Sequence, residues 1–284
     1  MKSIDKILVA LDLTSTDTDL IKYASFLSEK LNPEKVYFVH NIKKYEISEL
    51  FQEHLKDLDL EKLISDELDE KVATHFKADV PSQVLISEDS YTESLINYIV
   101  QKYHIDLVVV GNKSKTDGTG IVSDKLMRIL KCDIVSVPNN VKLEMNNIWG
   151  GTDFSHESAK VFRLSTYLAN ATGAKVTGVN IYNVPVQFTP YLNKEEMLPK
   201  IEKHTREKFE KFLKKHKISD SEMKIIRGRE ASVAEKLNLE AEKAGADLLV
   251  VADKGGNVFS SLLVGNVTDE IFDRELKIPL WVAK

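Results

Sequence analysis

Residues 245–267 read "GADLLVVADKGGNVFSSLLVGNV", an apolar run without polar alternation that opens into a loop marked by Gly255 and Gly265. Such a run suits a strand of a parallel sheet covered on both faces. The amphipathic "VTDEIF" that follows it reads as a helix start. A strand feeding a glycine loop and then a helix is the repeating step of a doubly wound α/β domain. The same step occurs earlier in the chain, where "HIDLVVVGNKS" (104–114) aligns with "GADLLVVADKG" (245–255).

Working outward from this pair, the chain is written twice. "IDKILVALDLT" (4–14) aligns with "MNNIWGGTDFS" (145–155), pairing Asp12 with Asp153, and "KVYFVHNI" (35–42) aligns with "KVTGVNIY" (175–182). "VSDKLMRIL" (122–130) aligns with "VTDEIFDRE" (267–275). Four dispersed matches in one order, about 141 residues apart, mark two whole domains rather than a solenoid.

Each half alternates strands with helices. The strands are ILVAL, KVYFVHN, SQVLIS, DLVVVG and DIVSVP, then NIWGGT, KVTGVNI, EMKIIR, DLLVVA and PLWVA. Apolar spacing of three and four residues predicts helices over 16–31, 47–63, 92–103, 194–216 and 232–244. The expectation is an α/β fold of two tandem doubly wound, Rossmann-like domains, 1–140 and 145–284. Each has a five-stranded parallel sheet with helices on both faces. "VPNNVKLEMN" (137–146) reads as the linker. The last strand of each half is an apolar edge that needs a partner, which predicts an intramolecular pseudo-dimer and leaves a further homodimer open.

Composition bounds the partners. A formal net charge of −5 over 284 residues gives no basic footprint for nucleic acid or an anionic membrane. One cysteine, Cys132, permits no internal disulfide, suits a reducing compartment, and is expected to be packed. The N-terminus, interrupted by Asp5 and Lys6, does not read as a signal peptide, and the apolar runs are too short for a membrane span. A cytoplasmic setting is expected.

In doubly wound sheets ligands sit beyond the carboxyl ends of strands, at the topological switch point. In the second half Thr152, Asp153, Asn180, Ile181 and the residues from Ala252 onward lie at that edge. Glycine lets a backbone approach phosphate closely, and unpaired N–H groups at a helix start favour it. Gly265 therefore reads as a phosphate contact, whereas the anionic Asp153 better suits ribose hydroxyls or a base edge. The alternative for Asp153 is a helix N-cap, and glycines after a strand are common turn punctuation.

Taken together, these residues resemble the universal stress protein family in its tandem form, over essentially the whole chain. That family's nucleotide motif, G-x2-G-x9-G-[ST], follows the fourth strand and is paired with an aspartate ending strand one. Here the second half reads Ala252-x2-Gly255-x9-Gly265-Asn266, with the spacing intact, alanine for the first glycine and asparagine for the hydroxyl residue. The resemblance implies a site of Thr152, Asp153, Ile181 against the adenine, Ala252, Lys254, Gly255, Gly265, Asn266 and Val267. It implies ATP or a related adenine nucleotide such as AMP, with or without Mg, and a stress-response regulator with unidentified protein partners. The first half departs further: Asp12 and Gly111 remain, but Ser114 replaces the second glycine, and a deletion between Ser114 and Val122 brings Gly120 into the last glycine's place. Asn41 stands where Ile181 does. This first site is expected to be degenerate.

Other chemistry is thin. The seven histidines form no HExxH or other close metal-ligand set, and His204 and His216 fall on a Lys/Glu-rich helix where solvation is expected. Ser155 and His156 are adjacent, an arrangement that rarely makes a nucleophile and its base, and no P-loop is present. The segment "YNVPVQFTPYL" (182–192), with Phe188 and Tyr191, is expected to border the second pocket. Two readings stand: a non-enzymatic nucleotide-binding regulator, favoured by motif spacing, Asp153 and Ile181, and a non-nucleotide interaction scaffold or binder of another small ligand with both nucleotide sites decayed, favoured by Ala252 and Asn266.

Overall fold

The computed structural model describes residues 3–43, 58–112, 121–182, 194–218, 221–228, 231–253, 267–272 and 274–284. The chain divides into two units, Lys2–Leu143 and Glu144–Lys284. The first runs β1 (Lys6–Leu11), α1 (Thr16–Leu31), β2 (Lys35–Asn41), α2 (Leu60–His75), β3 (Ser82–Ser87), α3 (Thr92–Tyr103), β4 (Leu107–Gly111), α4 (Ile121–Ile129) and β5 (Asp133–Val137). Its strands pair in parallel in the order β3-β2-β1-β4-β5. The second runs β6 (Asn147–Gly151), α5 (Ser158–Thr172), β7 (Lys175–Tyr182), α6 (Lys194–His216), β8 (Glu222–Arg227), α7 (Val233–Lys243), β9 (Leu248–Ala252), α8 (Val267–Phe272) and β10 (Leu280–Ala283). Its order is β8-β7-β6-β9-β10, again parallel.

Burial explains why apolar runs became inner strands. Leu107 to Val110 of β4 and Leu248 to Val251 of β9 are buried at consecutive positions, so both strand faces are covered by helices. The outer strands β3 and β8 keep polar and charged side chains and are only partly buried. In each unit the chain winds to one side of its first strand and then crosses to the other. The switch points therefore lie between β1 and β4 and between β6 and β9. Among the described residues no helix is long and apolar enough to cross a membrane.

Two elements differ from the sequence reading: α5 (Ser158–Thr172) lies where no helix is expected, and α2 departs from its expected bounds. Residues 47–57 of the helix expected over 47–63 lie outside the described residues, but Leu58 and Asp59 are not helical, and α2 runs from Leu60 to His75. The Asp59 side chain accepts the Lys62 N–H at 3.0 Å and so fixes the start. Only Leu68 and Val72 of α2 are buried, too narrow a stripe to stand out in the sequence. The Ser25 hydroxyl on α1 accepts the N–H groups of Lys77 and Ala78 just past α2, tying its far end to the domain.

In the second unit α6 contributes Phe209, Phe212 and Leu213, which pack on Ala159 and Phe162 of α5. This aromatic layer rests on Gly178 of β7. A Cβ there would stand 2.8 Å from Phe162 Cζ and 3.0 Å from Phe209 Cζ, and both rings are buried and hold each other in place. Gly178→Ala is expected to lower the stability of this unit by about 1–3 kcal/mol through overpacking. Both tryptophans of the chain, Trp149 and Trp281, are buried in this unit. A urea titration followed by tryptophan fluorescence therefore reads the loss directly; an unchanged midpoint would show that the layer yields.

Candidate functional site at the end of the first strand of each unit

Beyond β6 the chain makes a tight, hydrogen-bonded loop. The Thr152 N–H extends the ladder to Val179 O (2.9 Å), its carbonyl accepts the Asn180 amide (2.8 Å), and its hydroxyl oxygen accepts the Phe154 N–H (3.0 Å). Asp153 follows, exposed, with Oδ1 accepting the Ser155 N–H (2.9 Å) and the Ser158 hydroxyl (2.8 Å). Its N–H donates to the same Ser158 oxygen at 3.2 Å. Phe154 has φ +62°, the left-handed region that L-residues enter at a cost. Its ring packs on Phe209 and Phe212, centroids 6.3 Å away, so the strained residue is held by the core.

The N-cap reading of the strand-one aspartates does not hold. The N-caps of α1 and α5 are Ser15 and Glu157, and Asp12 and Asp153 instead bind the N–H two residues on within their own loops. The Asn180 amide donates to the Thr152 carbonyl and so braces the loop. Ile181, half-buried on β7 opposite Ile226, and Ala252, last in β9, lie at the same carboxyl edge on the two strands flanking β6. Across the loop from Ala252, buried Thr268 of α8 donates its hydroxyl to the Ala252 carbonyl at 2.6 Å, with Val267 immediately before it. Lys254, Gly255, Gly265 and Asn266 lie outside the described residues, as do Gly120, Ser114, Phe188 and Tyr191.

The first unit uses the same loop with different groups. Leu13 takes the place of Phe154, at φ +64°. The Asp12 Oδ1 accepts the Thr14 N–H (3.2 Å) and hydroxyl (2.6 Å). The Asp12 and Leu13 N–H groups donate to the two carboxylate oxygens of Asp17 at 3.0 and 2.9 Å. Asp17 is wholly buried, with Lys71 Nζ 3.5 Å from Oδ2. Burial, then the neighbouring Asp12 charge, push its carboxyl above the usual range; the two backbone N–H groups and Lys71 oppose this. Asn41, expected at the wall of a base pocket, is buried and bonded to the Asp89 backbone and to Thr92 Oγ1, so it clamps β2 to the start of α3. Gly111 ends β4, where a Cβ would meet Thr16 Cγ2 at 3.0 Å.

No motif in the sequence marks Asp17 and Ser158, although they stand at the same register, five residues after Asp12 and Asp153. The Lys/Glu-rich helix predicts a solvated His216, and the structure differs. In the structure the His216 ring is half-buried, 4.8 Å from the Phe212 ring and 5.5 Å from that of His156, which pairs with His216 rather than with Ser155. Cys132 is buried, as expected. No group of three His, Cys, Asp or Glu side chains converges as a metal site among the described residues.

A doubly wound fold carried twice, each copy with an aspartate beyond its first strand, defines a class of tandem α/β proteins. The chain belongs to the universal stress protein family, whose model matches residues 3–138 and 145–284. Its structure is similar to that of a functionally unknown protein from Pseudomonas aeruginosa (TM-score 0.68, 15% identity, covering 99% of this chain and 92% of that one). It is also similar to a universal stress protein from Archaeoglobus fulgidus (TM-score 0.66, 14% identity, covering 99% and 97%). No curated protein matches the sequence.

His216 makes the loop's support sensitive to pH. Its folded pKa is lowered, first by burial and then by Lys215, His156 and Arg163, so the unfolded chain holds its proton more tightly. Stability from this group is complete above its unfolded value, about 6.5, and declines as the pH falls from there toward the lowered folded value. The second unit is expected to melt earlier at pH 5.5 than at pH 7.5, and His216→Gln to reduce that difference, both read by tryptophan fluorescence. An equal difference in the variant would place the sensitivity elsewhere.

Proposed function

We propose that the second unit binds an adenine nucleotide, ATP or AMP, and that the protein acts as a cytoplasmic stress-response regulator whose partner interactions follow occupancy. The observation that carries this is the Asp153 carboxylate. It is exposed yet held by the Ser155 N–H and the Ser158 hydroxyl, at the carboxyl end of β6 beside the switch point. An oriented acceptor at that place suits ribose hydroxyls. Half-buried Ile181 offers the base an apolar neighbour. Ala252 ends β9, the strand next to β6, and the sequence spacing from it through Gly255 to Gly265 and Asn266 supports a phosphate-binding motif. Lys254 and Val267 complete the proposed site, with Thr152 fixing the loop beneath it.

The scaffold reading is favoured by one specific feature, the Ala252 and Asn266 replacements within the motif. Calorimetry separates the two. Nucleotide binding is expected to weaken by about 1–3 kcal/mol in Asp153→Ala, the range for a lost charged hydrogen bond. It is expected to vanish in Gly265→Val, where a β-branched side chain would fill the space in which backbone meets phosphate, and to persist in Asp12→Ala and Gly120→Val. A wild-type protein giving no heat with millimolar ATP, ADP or AMP would leave the scaffold.

A further inference from the structure

The two units offer an internal comparison, because one loop is built twice with one decisive exchange. Residue five after the strand-one aspartate is Ser158 in the second unit and Asp17 in the first. Both are buried and belong to the first turn of the following helix, and both accept the N–H of the aspartate before them. A serine hydroxyl accepts and donates at once; an ionised carboxylate only accepts. Ser158 uses both capacities, taking the Asp153 N–H at 3.2 Å and giving its proton to Asp153 Oδ1 at 2.8 Å.

We propose that Ser158 is the positioning residue that equips Asp153 to receive ribose hydroxyls, and that Asp17 at the same register withholds this role from Asp12. This rests on the nucleotide reading above and assigns the residue that decides it. The ribose-facing carboxylate of the second unit is tied to a helix, through a buried side chain. In the first unit Asp17 spends its oxygens on the N–H groups of Asp12 and Leu13 and has no proton for the Asp12 side chain. Asp12 turns instead to Thr14, an exposed loop residue. A second negative charge then stands beside the first, and their repulsion contributes to the raised Asp17 pKa. Lys71 partly neutralises Asp17. The chemistry selected in the second unit is a neutral, hydroxyl-rich sugar edge met by one anchored carboxylate.

The test measures binding of ATP and of its 2′,3′-dideoxy analogue to the full chain by calorimetry. Wild type, Ser158→Ala, Ser158→Thr, Ser158→Asp and the double variant Ser158→Ala/Asp153→Ala are compared, with folding checked by circular dichroism. Wild type is expected to favour ATP over the dideoxy analogue by about tenfold, the effect of one oriented charged hydrogen bond. Ser158→Ala should lose that preference through weaker ATP binding while the analogue binds as before, and Ser158→Thr should restore it. Ser158→Asp should reproduce the first unit and lose the preference for ATP over the analogue, as Ser158→Ala does. The double variant should bind ATP no more weakly than Asp153→Ala. A Ser158→Ala protein that keeps the wild-type preference, or a double variant with additive losses, overturns the assignment while leaving nucleotide binding intact. A wild type that binds neither compound overturns the nucleotide reading and this assignment with it.

Discussion

Each unit turns on one strained residue. Immediately after the strand-one aspartate the backbone enters the left-handed region, at Leu13 in the first unit and Phe154 in the second. Such a conformation costs a non-glycine residue on the order of 1–2 kcal/mol and persists only when its surroundings over-determine it. In the second unit the surroundings are explicit: the Phe154 ring packs with Phe209 and Phe212, and its N–H is taken by the Thr152 hydroxyl. Turning Phe154 inward lets Asp153 stand outward at the switch point. The aromatic layer beneath β7, which needs Gly178 to fit, is therefore also the support of the candidate site.

That dependence links packing to chemistry. Helix α6 reaches the loop from the far side of the layer, and its last residue, His216, lies tilted against Phe212 and faces His156 in the loop itself. Anything that loosens the C-terminal turn of α6 acts on both the ring that holds Phe154 and the segment that carries Asp153. In the first unit the same loop is held electrostatically, by the buried Asp17 and its Lys71 partner, rather than by a polyaromatic layer. A buried ion pair is costly unless its remaining polar groups are satisfied, and the two loop N–H groups supply that satisfaction. Duplication has thus left two stable solutions for one turn, and only one of them leaves a serine to orient the aspartate.

The sequence by itself determined the duplication, the parallel alternating architecture and the position of the strand-one aspartates. These follow from periodicity and from apolar runs, which are local properties of the chain. Ile181 and Ala252 could be placed at strand ends, and Val267 at a helix start, for the same reason. The extent of α2 escaped because burying only Leu68 and Val72 leaves too faint a pattern. What only the tertiary structure decided was how side chains are committed: Asn180 and Asn41 to bracing neighbouring segments, Phe154 to the core, His216 to a ring contact, and Ser158 and Asp17 to opposite roles at one register. A polar residue's donors and acceptors can be counted from its name. Which partners they meet depends on the direction of a turn and on packing from distant helices, and those are fixed only when the chain folds.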